Sequence, residues 1–578
     1  MSRGVTLGSA QKRLRLNSLL RTALAAALCA WCAAAGAQPA PSQAPPGPGL
    51  RPSEERPALP PFRERAPGPF LLPPVPAPAG PSQLAGAARV FVKRVEISGN
   101  TVVPTAELAE IAKAYEGRIV TSEDLHELRN KLSLAYINRG YINSGAVLPD
   151  QDLKDGVVRY QIIEGRLLQI EITGNDRLRP DYLRERITLG AGPPLNVNEL
   201  QQRLQILQQD GLIERINAEL VPGTQPGEAV LKAEVHEAVP YQVGLAVSNR
   251  RPPSVGAYLG EIFASHRNVT GRGDAIDARF GLTQGVKEYQ LGYAIPINAH
   301  DTTVSFRFNR TGALVVERPF DQIDIRSTAK TYQLGITQPV WRTLSESLSA
   351  GLKYEHRVSK TSLLGLPFSF TQGVPDGKSK VDVVRFSQDW VRRTPDKVIA
   401  VRSSFSGGRT NAEAQIDGIG PQERFFAWLG QFQMAKLFSS RHQLLLRTDI
   451  QYTRESLMPL EKIALGGMST VRGYRENQFL RDSAVIASAE YRIPIEIAAL
   501  DKTRLQLAAF VDYGNSWNAD ATPASPRSIA SVGVGGIWEY SRHFQAQLYV
   551  AKPTKKVRQS SHDLQDSGIH FALTYFHF

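Results

Sequence analysis

Two regimes of hydrophobic patterning divide the chain. Between residues 89 and 239, short alternating runs are interleaved with one-faced helical runs. Val95-Glu96-Ile97-Ser98-Gly99-Asn100 recurs 75 residues later as Ile170-Glu171-Ile172-Thr173-Gly174-Asn175, each an alternating strand that closes on a Gly-Asn turn. Pro104 and Pro180 each open a short helix. Longer helical patterns follow over residues 122–138 and 196–209, with Leu125, Leu128 and Leu132 on one face of the first. Two strands close each unit, 143–148 with 157–163 and 216–221 with 229–235. The order is β-α-α-β-β, twice, in about 75 residues each.

From Tyr241 onward the period changes to two. Val304, Phe306 and Phe308 alternate with Ser305, Arg307 and Asn309. Leu444, Leu446, Ile450 and Tyr452 alternate with Arg447, Asp449 and Gln451. Leu505, Leu507, Ala509 and Val511 alternate with Arg504, Gln506, Phe510 and Asp512. This stretch holds 37 of the 46 aromatic residues but no apolar run long enough for a spanning helix. Alternation alone fits a soluble sandwich and a membrane barrel equally. Three features favour the barrel: the length of the segment, Arg and Asp recurring on one face, and a final strand 571–578 ending in aromatics. Phe576 and Phe578 alternate there, as a closing barrel strand requires, and closure removes edges that lipid cannot satisfy.

Before the repeats lie two segments of different character. Residues 1–37 carry Arg3, Lys12, Arg13, Arg15 and Arg21, then the apolar run 22–35, then Ala35-Gly36-Ala37. That is the pattern of a secretory signal peptide cleaved after Ala37. Residues 38–83 hold 16 of the 38 prolines, so 38–88 reads as an extended, semi-rigid linker.

Composition matters mainly through that signal. Cleavage removes five cations and no acid, taking the formal charge from +13 to +8. It also removes Cys29 and Cys32, so the exported chain has no thiol nucleophile, disulfide or cysteine metal site. The histidines are scattered, with no His-Glu-x-x-His, and no Gly-x-Ser-x-Gly elbow occurs, so no catalytic residue, metal site or cofactor is expected. The cations form no concentrated stripe of the kind nucleic acid demands. Arg272-Gly273-Asp274 reads as a hairpin turn, and Gly373–Ser379 lacks phosphate-loop spacing.

One constellation remains. Leu465-Gly466-Gly467-Met468-Ser469-Thr470-Val471-Arg472-Gly473-Tyr474 lies between barrel-like strands, and Phe510-Val511-Asp512-Tyr513-Gly514 follows. Parity puts Phe510, Asp512 and Gly514 on the lumenal face. On spacing alone, an ion pair between Arg472 and Asp512 and an ordinary glycine turn beside a solvated Asp512 fit equally well.

The combination resembles the outer-membrane TpsB transporters of two-partner secretion, the haemolysin-activator and filamentous-haemagglutinin-secretion family. Beside Val471–Tyr474 and Phe510-x-Asp512-x-Gly514, the β-α-α-β-β repeats resemble POTRA (polypeptide-transport-associated) domains. Tyr136-x-x-x-Gly140-Tyr141, Ala146-Val147-Leu148-Pro149 and Glu164-Gly165-Arg166 resemble the first such domain and its junction with the second.

The resemblance implies an α+β periplasmic pair, residues 89–165 and 166–239, followed by a 16-stranded transmembrane β-barrel over residues 240–578. It implies that the loop of Val471, Arg472, Gly473 and Tyr474 folds into the pore, with Arg472 paired to Asp512. Phe576 and Phe578 would form the C-terminal barrel signal. The implied partner is a large β-helical exoprotein, an adhesin or haemolysin, taken up unfolded. Outer-membrane lipid and the barrel assembly machinery are the other implied partners, and the transporter is expected to be a monomer in a Gram-negative outer membrane. Family members often carry an N-terminal plug helix, for which residues 38–83 are too rich in proline and 84–90 too few, so either no plug or a substitute in the extended segment is expected. An assembly factor of the same superfamily and a diffusion porin are the alternatives; the first generally has more repeats, and the second needs none.

Overall fold

The computed structural model describes residues 56, 59–62 and 89–577, apart from 154, 414, 416–417, 497–502, 542 and 558–560. The expected signal peptide, most of the proline-rich segment and Phe578 lie outside the described residues.

Each β/α unit is a three-stranded sheet covered by two helices. In the first, Arg94–Ser98 runs parallel to Val157–Ile163, with Gly145–Val147 antiparallel at the edge. A parallel pair needs a long crossover, supplied by helices Thr105–Lys113 and Ser122–Ile137. The second helix starts on a capping box: the Thr121 side chain accepts from the Asp124 N–H, and Asp124 reaches back to the Thr121 N–H at 2.7 Å. Leu108, Leu128, Leu132 and Tyr136 fill the core. The second unit repeats the plan, with Arg166–Thr173 parallel to Glu228–Glu237, Ile213–Pro222 at the edge, and helices Pro180–Thr188 and Val197–Gln208. Leu183, Ile187, Leu195, Leu200 and Leu231 are its buried core. One element was not anticipated. Arg89–Val92 pairs with Arg118–Thr121, a short β-branched run between the helices, as a separate ribbon.

Among the described residues the remainder is a closed antiparallel barrel of sixteen strands. Ile569–Phe576 closes it on Tyr241–Ser248, in register from Ala572↔Ser248 to Phe576↔Gly244. Strand lengths run from 8 to 18 residues, so the longer ones extend past the roughly 9–11 needed to span a bilayer. Period-two alternation sorts the side chains. Leu291, Phe306, Leu334, Leu352, Val511 and Val534 are exposed on the outer wall, whereas Glu288, Gln333, Glu355, Gln431, Glu490 and Asp512 are buried inside. Gly533 and Gly535 lie where a Cβ would meet the Phe510 ring at 2.4 Å and the Tyr549 ring at 2.3 Å, a close-packing role for glycine within a strand.

The second unit docks on the turns at one end of the barrel. The Arg179 N–H donates to the Gly271 carbonyl at 2.9 Å, and the Tyr182 ring leaves no room for a side chain at Gly273. The Arg272-Gly273-Asp274 tripeptide is thus part of a docking turn. Arg186 stacks on Tyr182 at 3.7 Å and holds Asp301 through Nε at 3.0 Å and Nη2 at 2.7 Å. Arg342 bridges Asp301 and Asp210. The opposite end of the barrel carries the long loop of residues 454–482.

Candidate functional site

The site is built on that loop, which turns back into the lumen. Its limbs pair as a short ribbon, Ile463–Leu465 with Phe479–Arg481. Gly466 and Gly467 have φ of +101° and +102°, and a side chain at Gly467 would collide with Glu476 at 2.1 Å. Leu465, Val471 and Tyr474 pack on the inward Ile486 and Ile529 of the wall. The loop therefore carries its own apolar seat as well as its charge.

Strand Thr503–Trp517 presents Phe510, Asp512 and Gly514 inward and Val511 and Tyr513 outward. Register places Ser488 opposite Asp512 and Glu490 opposite Phe510. Arg472 is 1% exposed and lies in this corner. Its Nε and Nη2 each donate to Asp512 at 2.8 Å, a two-pronged pair, and its backbone N–H adds a third bond at 3.0 Å. Nη1 donates to Glu490, Nη2 reaches Ser488 Oγ at 3.2 Å, and the guanidinium carbon stands 3.4 Å from the Phe510 ring centre. Every face of the guanidinium is used, which suits Arg and not Lys. Gly514 is required because a Cβ there would meet Leu465 at 2.8 Å and Val471 at 3.2 Å. Gly473, at φ +87°, donates its N–H to His570 Nε2 at 2.9 Å, and the Tyr474 hydroxyl donates to the Ala530 carbonyl at 3.2 Å. The structure thus brings all seven loop and strand candidates together. Phe576 is elsewhere, buried at the barrel closure with its ring 5.7 Å from Phe263; Phe578 lies outside the described residues.

Several partners escaped the sequence reading. Glu490 also accepts from Arg492 at 2.6 Å and faces Arg447 at 3.8 Å. On the opposite wall, loop residue Glu461 meets Arg385 at 2.8 Å and Arg357 at 3.4 Å. Arg475 bridges Asp566 at 2.6 Å and Glu317 at 2.7 Å, tying the loop to two other extracellular loops. Period-two alternation is the signal that could have placed the strand members of these clusters inward, but it does not tell which of them meet.

The lumen also holds a residue of the proline-rich segment. Arg56 donates through Nε to both Asp449 oxygens at 3.0 and 3.2 Å, and through Nη1 to the Ser469 carbonyl at 2.6 Å. It therefore touches the wall and the pore loop at once.

The remaining motifs cap a turn within the first β/α unit, through Glu164, and form its joint with the second, through Gly140. Glu164 accepts from the Thr101 N–H at 2.6 Å, the Val102 N–H at 3.1 Å and the Tyr136 hydroxyl at 2.9 Å. Burial raises its pKa, but these donors, led by Thr101, outweigh burial and hold it below the usual 4.5. Gly140 has φ +93°, and a Cβ there would strike Asn198 at 2.4 Å and Asn196 at 2.6 Å; its carbonyl accepts the Val197 N–H at 2.9 Å. A lowered folded pKa means the Glu164 contribution is present above pH 4.5 and is lost as the pH falls below it. Glu164→Gln is expected to cost about 1 kcal/mol at pH 7, after allowance for partial exposure, and to flatten that acid loss. Thermal unfolding of the full-length protein between pH 7 and 3 checks both.

Comparison with known proteins extends this picture. The family model described as haemolysin secretion/activation protein ShlB/FhaC/HecB matches residues 227–536, and the POTRA domain of ShlB type matches 90–165. The outer membrane transporter CdiB of Dickeya dadantii (strain 3937) is 22% identical over 484 residues, covering 80% of this chain and 82% of the relative. The heme/hemopexin transporter protein HuxB of Haemophilus influenzae (strain 86-028NP) is 22% identical over 484 residues, covering 78% and 81%. Among solved structures, CdiB from Escherichia coli superposes with a TM-score of 0.65 at 20% identity, covering 87% of this chain and 94% of that one.

Proposed function

The chain belongs to the haemolysin secretion/activation protein family ShlB/FhaC/HecB, and from that premise we propose how it carries its client. It is an outer-membrane transporter of two-partner secretion, with the barrel in the outer membrane and the β/α units in the periplasm. Its cargo is a secreted partner exoprotein.

The finer reading is that the cargo passes unfolded along the lumen past the loop of Val471, Arg472, Gly473 and Tyr474. An unfolded segment is captured by strand addition at an open sheet edge of a periplasmic unit, where the edge strands Arg94–Ser98 or Ile213–Pro222 offer a template. The single observation that supports it is the seated loop. Buried ion pairs at Arg472 and Glu461 on opposite walls hold the loop across the passage. A loop held by several discrete contacts has two arrangements, seated and released, and a client entering the lumen competes for the space. No step requires a nucleotide, because folding of the client outside supplies direction. The test is export, in a heterologous outer membrane, of a candidate partner exoprotein produced with and without this chain. Its appearance in the medium only when both chains are made supports the reading, and equal export without the transporter refutes it.

Arg56 is assigned a second role in closure. Losing its two-pronged contact with Asp449 removes about 1.5–3 kcal/mol from the closed arrangement, roughly a tenfold rise or more in open probability. Arg56→Ala is therefore expected to raise channel activity in planar bilayers, whereas Arg51→Ala, in the same proline-rich segment, serves as the comparison.

A further inference from the structure

We propose that the outer wall of the barrel carries a binding site for a phosphorylated glycolipid of the outer leaflet. The site lies on the adjacent strands Thr303–Leu314, Arg326–Arg342, Glu346–Leu363, Lys378–Arg393, Lys397–Thr410 and Arg424–Leu437, toward their extracellular ends.

The register makes the case. Directly opposed residues of antiparallel strands point to the same side, and Phe308↔Tyr332, Leu334↔Tyr354 and Val384↔Gly407 belong to the outward, lipid-facing set. In that same set, just beyond the tyrosines, stand Arg310↔Lys330, Lys360↔Lys378 and Arg409↔Arg424. These are three like-charge pairs placed directly opposite, with Cβ atoms about 4.5–5.5 Å apart, an arrangement that destabilises a sheet unless an anion lies between the partners. Arg310, Lys330, Lys360, Lys378 and Arg424 make no ion pair among the described residues; Arg409 meets Glu423 at 2.6 Å. Of the carboxylates within the patch, Glu423 is taken by Arg409, and Asp382, opposite Arg409 in the register, is engaged by the Tyr354 hydroxyl and by His356, both at 2.7 Å. Beside them Gly407 leaves open space where a side chain would stand, in a shallow hollow also lined by Tyr354, Arg409 and Arg424.

Position selects the ligand. On strand Arg326–Arg342, Trp341 and Tyr332 are nine residues apart on the outward face, the length of one bilayer crossing, and Lys330 is the next outward residue beyond Tyr332. The cations therefore sit at headgroup level, above the aromatic girdle. The opposite side of the barrel is different: on Ser483–Ile495, Thr503–Trp517 and Ser528–Tyr540 the corresponding outward residues include Val485, Tyr513, Asn515 and Val532, with no Lys or Arg. A one-sided cluster of paired cations at that depth fits a compact headgroup bearing more than one phosphate. It also assigns part of the +8 surplus of the mature chain.

The proposal rests on the outer-membrane placement, which membrane fractionation reports on separately. The test uses the purified full-length protein in detergent, titrated with lipopolysaccharide, with enzymatically dephosphorylated lipopolysaccharide and with inorganic phosphate. Each surface cation contributes roughly fivefold, so Lys330→Gln/Lys360→Gln/Lys378→Gln is expected to weaken lipopolysaccharide binding about a hundredfold. Lys552→Gln, on a distant strand, is expected to leave it unchanged. On the unmutated protein the dephosphorylated glycolipid is expected to bind at least about tenfold more weakly, and binding to fall with added salt. Wild-type binding by the folded triple variant, equal binding of the dephosphorylated glycolipid, or displacement by inorganic phosphate at comparable concentration overturns the proposal.

Discussion

Arg472→Ala is expected to lower secretion of the partner exoprotein by more than about tenfold while the barrel still inserts. The substitution leaves Asp512, 0% exposed, without its cation, and leaves Glu490, 1% exposed, with Arg492 and Arg447 only. Breaking a buried pair from one side costs about 3–5 kcal/mol, and each 1.4 kcal/mol is a factor of ten in the population of the seated loop. The sixteen-stranded ladder does not depend on that residue, so heat-modifiable migration on a gel should persist. Asp512→Ala should act in the same direction and more weakly, because Glu490 still holds the guanidinium. Arg472→Lys should fail to rescue, since a single ammonium cannot occupy the Asp512 fork, the Glu490 carboxylate and the Phe510 face together. Coupling in the Arg472→Ala/Asp512→Ala double variant, measured as secretion, separates the pair from its surroundings. Unchanged secretion in both single variants at normal surface levels would falsify the assignment.

Deleting residues 89–239 is expected to abolish export and preserve an inserted barrel. Each β/α unit has its own apolar core, distinct from the barrel interior. The second unit meets the barrel through turns and charged contacts, at Gly271, Gly273, Asp301 and Arg342, not through shared core. Removing the units takes away the site that raises the client's concentration at the pore mouth. For a tethered capture site that loss is about a hundredfold or more. Pulse-labelled exoprotein should then accumulate in the periplasm, with the barrel intact by migration. Export at wild-type levels after the deletion rules out capture by these units.

The polar contacts that fix loop and docking geometry came only with the structure. Parity indicated that Asp512 faces inward, because side chains alternate along a strand whatever surrounds it. It carried no information on whether Glu490 meets Arg472, Arg447 or Arg492, a matter of loop placement across the lumen. Arg475 reaches Glu317 and Asp566, 158 and 91 residues away in sequence, by way of barrel closure. The Gly140 and Glu164 motifs were visible as family resemblance, yet their physical causes, a joint with Asn196 and Asn198 of the second unit and a capped turn at Thr101 within the first, belong to tertiary packing.

What the sequence determined by itself was local and periodic: two β-α-α-β-β repeats, a period-two barrel segment, and an inward row of Phe510, Asp512 and Gly514. These follow from the geometry of one helix or one strand, in which position alone sets the face. Tertiary structure decided the rest: the seat of Arg472 between two carboxylates, the entry of Arg56 into the lumen, the docking of Arg179 on a turn that spells an adhesion tripeptide, and the opposed cations on the outer wall. Those depend on strand register and on the path of a long loop, which bring together residues tens to hundreds of positions apart.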